Sequence, residues 1–120
     1  MESPSAELWQ SLVDSFAGLS DGVHDNWIME RRKYPDVEEN REINAFLASL
    51  SESQRRVLTG MLIDARHGGV FDALVVLHER LAFNEGKYFE RGVEMAIEPR
   101  GYTLFQDYVS RRSGDGWSAS

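Results

Sequence analysis

Cysteine is absent from the 120-residue chain. That excludes a disulfide framework, a thiolate zinc site and a cysteine nucleophile. Basic residues are in deficit, with 13 Lys and Arg against 20 Asp and Glu, for a formal net charge of -7. Non-specific nucleic-acid binding needs a positive face that displaces counterions, so no nucleic-acid partner is expected. A basic protein partner is compatible with that charge, as is solubility alone. No run of eighteen apolar residues occurs, which argues against a membrane-spanning helix or a membrane partner. The opening stretch MESPSAELW begins with an acid and lacks a basic-then-apolar signal segment, so the expected location is cytoplasmic.

The remaining composition is ordinary for a globular protein, 42% hydrophobic and 28% charged. The length suits one domain with one core. A 3.6-residue apolar period dominates through residue 84. It predicts an all-α, single-domain helical bundle of about five to six helices over 1–120, with 1–5 and 118–120 frayed. Ser5 is a candidate cap for a first helix beginning near Ala6 and carrying Leu8, Trp9, Leu12, Val13 and Phe16. Ser20 or Asp21 is a candidate cap for a second, with Val23, Trp27 and Ile28 on one side and Arg31, Arg32 and Lys33 in its last turns. Pro35 ends it. The third carries Val37, Ile43, Phe46, Leu47 and Leu50, with Asn40 on the same stripe.

The stretch Ser51–Asn84 is the expected spine. Ser51 with Gln54 is a capping-box signature. Gly68 and Gly69 are read as the stop of that helix, and Phe71, Leu74, Val75, His78 and Leu81 as the inner face of the next, the two folding back as a hairpin. Further on, the imperfect alternation around Arg91-Gly92 is read as a small β-hairpin near residues 88–97 or, alternatively, an extended excursion. Leu104, Phe105, Tyr108 and Val109 predict a short final helix near Tyr102 to Arg112, docked together with Trp117 onto the helical body.

No motif identifies a reaction. RHGG lacks the surroundings of a phosphate loop, and there is no G-x-S-x-G elbow. A polar set made of His24, Asp25, Asp64, Arg66, His67 and Asp72 is the candidate site. Asp64 and His67 stand three apart and share a helix face, which is half of a divalent-metal site. The simpler reading is a C-terminal histidine stabilised by a carboxylate and the helix dipole. An Arg66–Asp72 bridge across the expected hairpin turn is a structural alternative for those two. No metal, catalytic residue or cofactor is assigned. Trp27 beside Arg31 is a candidate partner surface, set against a core aromatic with a charged rim.

The segments Asp25-Asn26-Trp27, Asn40 to Leu50, Arg66 to Asp72, Asp107 to Arg111 and Gly114 to Trp117 carry a resemblance. From about Val13 to Trp117 the chain resembles a family of small uncharacterised bacterial proteins. The resemblance implies a bacterial, mostly helical single domain whose C-terminal segment belongs to the fold. It carries over no functional residue, but it directs attention to Asp107, Arg111, Asp115 and Trp117. Three readings follow. The first is a non-catalytic protein-binding or regulatory protein that uses Trp27, Arg31, Asp107, Arg111 and Trp117. The alternative is a small enzyme with a divalent-metal or acid-base site between helices. The third is self-association as a homodimer, through a helix whose apolar arc extends to Val76 and Leu77.

Overall fold

A computed structural model of the chain describes residues 2–19 and 23–117, the side chains of Val23 and His24 excepted. Its helices are α1 (Pro4–Ala17), α2 (Val23–Met29), α3 (Arg41–Ala48), α4 (Glu52–Ala82) and α5 (Leu104–Arg112), with β1 (Phe89–Glu90) and β2 (Val93–Glu94) forming an antiparallel pair. The chain is therefore all-α with one small hairpin, as its periodicity predicts. It divides into two compact units, one made of Met1–Leu19 with Gly69–Ser120 and the other of Ser20–Gly68. The candidate cap residues Ser20 and Asp21, and the end at 118–120, lie outside the described residues.

The main correction concerns the spine. The Ser51–Gln54 capping box forms, with the Ser51 N–H donating to Gln54 Oε1 at 2.8 Å and the Gln54 N–H to Ser51 Oγ at 3.2 Å. But Gly68 and Gly69 do not stop the helix, and α4 continues for 31 residues. Neither glycine takes the positive φ that closes a last turn. A glycine inside a helix costs only about 1 kcal/mol relative to alanine, and no proline follows to enforce the stop. The division between the two units falls between these glycines instead. Without a hairpin turn there is no Arg66–Asp72 bridge to span it, and none is found among the described residues.

Termination comes at Glu85, in the left-handed region at φ 60, with the Gly86 N–H returning to the Arg80 carbonyl at 2.8 Å. A Cβ at Gly86 would sit 2.8 Å from that same oxygen, which accounts for the glycine.

In the unit containing Gly69–Ser120, α1, α4 and α5 enclose Trp9, Val13, Leu74, Leu81, Leu104 and Tyr108, with Met95 from the segment that follows β2. Phe71 meets Phe105 edge to face at 5.3 Å between centroids. The cap of α1 is Ser3 rather than Ser5, with Pro4 in the first turn, where its missing N–H costs nothing. The hairpin turns at Arg91 and Gly92, φ 51 and 78, the two left-handed residues that a two-residue turn requires. Its exit is tied to α1 by the Ala96 N–H on the Ser5 carbonyl at 3.1 Å.

Among the described residues of the unit Ser20–Gly68, Ile28 and Leu47 are the buried apolar ones. Between them lies the buried Arg55, whose guanidinium donates to the carbonyls of Ile28 (3.4 Å), Arg32 (3.2 Å) and Leu47. Carbonyls at helix ends have no partner within their own helix, and a cation is favourable there. One arginine thus closes α2 and α3. The run Arg31-Arg32-Lys33 lies beyond α2 rather than in its last turns, because the helix ends at Met29. Asn44 brackets Tyr34, accepting from its N–H at 2.7 Å and donating to its carbonyl at 3.2 Å. Asn40 is also hydrogen bonded, to the Pro35 carbonyl at 3.0 Å.

Candidate functional site

The start of α5 is doubly fixed. Thr103 and Gln106 form a capping box, with bonds of 2.9 and 3.1 Å. The next orphan donor, the Leu104 N–H, reaches Nδ1 of the buried His78 at 3.3 Å. With Nδ1 accepting, the imidazole proton sits on Nε2 and faces Glu98 Oε2 at 3.0 Å. Glu98 holds a left-handed φ of 51, which costs a non-glycine residue ~1–2 kcal/mol. Both ring nitrogens of His78 are engaged, and its edge packs on Trp9 and Phe105. His78 is thus a hydrogen-bonded core histidine, on the inner helix face where its spacing with Leu74 and Leu81 puts it.

This anchorage turns Asp107 inward. Only 7% of it is exposed. Its Oδ2 accepts the indole N–H of Trp9 at 2.8 Å. Burial pushes the carboxyl above its ordinary range, and the opposing pulls of the Trp9 hydrogen bond and the Arg100 charge do not offset it.

The C-terminal segment then folds back over this group. Gly114 takes φ 95, the Asp115 N–H returns to the Ser110 carbonyl at 3.1 Å, and Ser110 Oγ donates to Asp115 Oδ2 at 2.9 Å. Trp117 is half-buried and donates its indole N–H to Asp14 Oδ2 at 3.0 Å. The other Asp14 oxygen takes the Arg111 Nε–H at 2.7 Å. Arg111 thus pairs with Asp14, whereas its bond to Asp115 goes to the backbone carbonyl, at 2.8 Å. The guanidinium groups of Arg111 and Arg100 lie 5.0 and 5.1 Å from the Trp117 ring centroid. Arg100 in turn pairs with Glu2. Burial pushes the Asp14 carboxyl up, but the hydrogen bonds from Arg111 and Trp117, with the Arg111 charge, outweigh it and hold it below the ordinary value.

Between Tyr102, Gln106, Asp107, Ser110, Arg111 and Trp117 lies a cavity of about 410 Å³. A slightly larger one, about 470 Å³, opens beside Lys87, Glu94 and Met95. On its rim Lys87 and Glu94 pair with each other at 3.4 Å and Glu85 is exposed, and no buried charge lines it. The first cavity is therefore the candidate site.

Of the residues singled out from sequence, Asp107, Arg111 and Trp117 come together around this cavity. Trp27 and Arg31 border a separate hollow of about 200 Å³ in the unit Ser20–Gly68, where Trp27 packs on Tyr34 at 4.8 Å. In the polar set, the His24 side chain lies outside the described residues. Asp25 is half-buried, with Oδ2 lacking a hydrogen bond among the described residues. Asp64 and Arg66 are exposed and His67 is buried, while Asp72 is exposed and belongs to the other unit. No group of three or more metal-ligating side chains is found among the described residues. Sequence reasoning did not bring Trp9, Asp14, Arg100 or Tyr102 to the site. Trp9 and Asp14 fall on a helix ninety residues or so away, and only tertiary contact links them to α5. No helix among the described residues is long and apolar enough to cross a membrane.

Residues 2–119 match a family described as a Family of unknown function (DUF6547). No curated protein and no solved structure matches the chain.

Proposed function

The chain belongs to that family of unknown function, and from the geometry of its pocket we propose that it is a non-catalytic protein-binding module. The cavity over Asp107 is its recognition site. The observation that supports this reading is the buried carboxyl, fixed by an indole at 2.8 Å, at the edge of an aromatic-walled cavity. Polar groups held in place beside aromatic walls set the orientation of an occupant. Small pockets that admit one anchoring side chain concentrate the energy of protein–protein contacts.

Tyr102 gives the cleanest test. It lines the cavity yet is 54% exposed, so shortening it removes a wall without opening the core. Affinity capture from an extract of the native host is expected to recover the same partner repeatedly with the wild-type chain. Tyr102→Ala is expected to lose it while melting within about 2 °C of wild type, since exposed substitutions usually stay within ±0.5 kcal/mol. A wild-type bait that retains no recurrent partner at physiological salt contradicts the proposal.

A further inference from the structure

The cavity holds a carboxyl group whose hydrogen-bond donor, Trp9, carries no charge. The two guanidinium groups nearby are committed elsewhere. Arg111 pairs with Asp14, Arg100 with Glu2, and both lie over the Trp117 ring. The charge of Arg100 acts on Asp107, but its pull is weaker than the effect of burial. A buried carboxylate is costly unless a charged donor pairs with it. An anion entering the cavity would meet the Asp107 carboxylate. A cation with N–H donors would supply what Asp107 lacks. The volume of about 410 Å³ is at the small end for ligand pockets, which run from about 300 to 1,000 Å³, and suits one long side chain. Tyr102 offers a ring face on which a cation packs favourably, while Trp117, which already carries Arg100 and Arg111, closes the opposite wall. The net charge of -7 steers a basic partner toward the chain.

We infer that this pocket takes a basic side chain of a protein partner, best an arginine, with Asp107 as its counter-ion and Tyr102 and Trp117 as its walls. The planar guanidinium presents paired donors to a carboxylate and stacks on aromatic rings, which an ammonium does less well. The inference rests on the binding reading above and narrows it to a chemistry.

The test titrates the full chain with N-acetylarginine amide and with its uncharged isostere, N-acetylcitrulline amide. Affinity is read by calorimetry, and the site by the indole N–H resonances of Trp9 and Trp117. The arginine probe is expected to bind at least about tenfold more tightly than the citrulline probe, and to shift the Trp9 resonance, since that N–H shares the Asp107 carboxylate. Asp107→Asn keeps an acceptor for Trp9 but removes the charge, and is expected to abolish the preference. Should that variant fold poorly, Tyr102→Ala serves instead, with an expected loss of threefold or more. Equal binding of the two probes, or an unchanged preference in Asp107→Asn, overturns the inference. So does methylguanidinium binding as tightly as the arginine probe, which would make a free small cation the occupant. Probe binding with no recovered partner leaves the cation site and removes the protein-binding reading. A partner lost in Tyr102→Ala, with no probe binding, does the reverse.

Discussion

Replacing Trp9 with alanine is expected to abolish cooperative thermal unfolding of the unit that contains α1 and α5. Trp9 is fully buried among Val13, Leu74, Leu104 and Tyr108. Truncating a buried tryptophan costs about 3–5 kcal/mol. Stranding the acceptor on Asp107 adds about 1–3 kcal/mol. The total is comparable to the ~5–15 kcal/mol by which a whole domain is stable. Trp9→Phe separates the two effects. It keeps most of the ring and removes the donor, so a smaller loss is expected, read by circular dichroism melting. A phenylalanine variant as stable as wild type would show that the indole–carboxylate bond contributes nothing.

The pH dependence of that loss follows from Asp107. Its folded value lies above the ordinary 3.8. Between those two values the folded state holds the proton more tightly than the unfolded chain does. Its contribution to stability is therefore fully present below 3.8 and declines as pH rises through the folded value. Asp107→Asn should flatten this part of the profile.

Trp117→Ala is expected to lower the melting temperature by roughly 10 °C, on a loss of about 2–3 kcal/mol. The indole surrenders a hydrogen bond to a carboxylate and two guanidinium–ring contacts. Asp14 is 42% exposed at its side chain, so solvent screening keeps its share of the loss small. Acid should loosen the same contact. The folded value of Asp14 lies below 3.8, so its contribution is present above 3.8 and lost as pH falls through the folded value. Indole N–H exchange at Trp117 should accordingly accelerate at the acid end before α1 melts. A Trp117→Ala protein with unchanged melting would place the tail outside the fold.

What could be read from the sequence was local, or was driven by a large apolar group. The Ser51–Gln54 box, the Arg91-Gly92 turn, the final helix and the docking of Trp117 all follow from short-range chemistry or from the area of one indole. The continuity of α4 was not legible. Glycine permits a helix end without compelling one, and its modest cost is outweighed when the surrounding chain packs as helix. The Arg31–Lys33 run was misplaced for a related reason. A preference for the helix dipole says where cations are favourable, but the end of α2 is closed by Arg55, more than twenty residues later. The pocket itself was half legible. Asp107, Arg111 and Trp117 lie within eleven residues of one another, but the groups that orient them, Trp9 and Asp14, come from the opposite end of the chain.

The most direct measurement of the central claim is a crystal structure of the full chain grown with N-acetylarginine amide. The predicted result is a guanidinium within hydrogen-bond distance of the Asp107 carboxylate, between Tyr102 and Trp117, with the Trp117 indole still on Asp14. Density for the probe elsewhere on the surface, or an empty pocket with Trp117 turned away from Asp14, would contradict it.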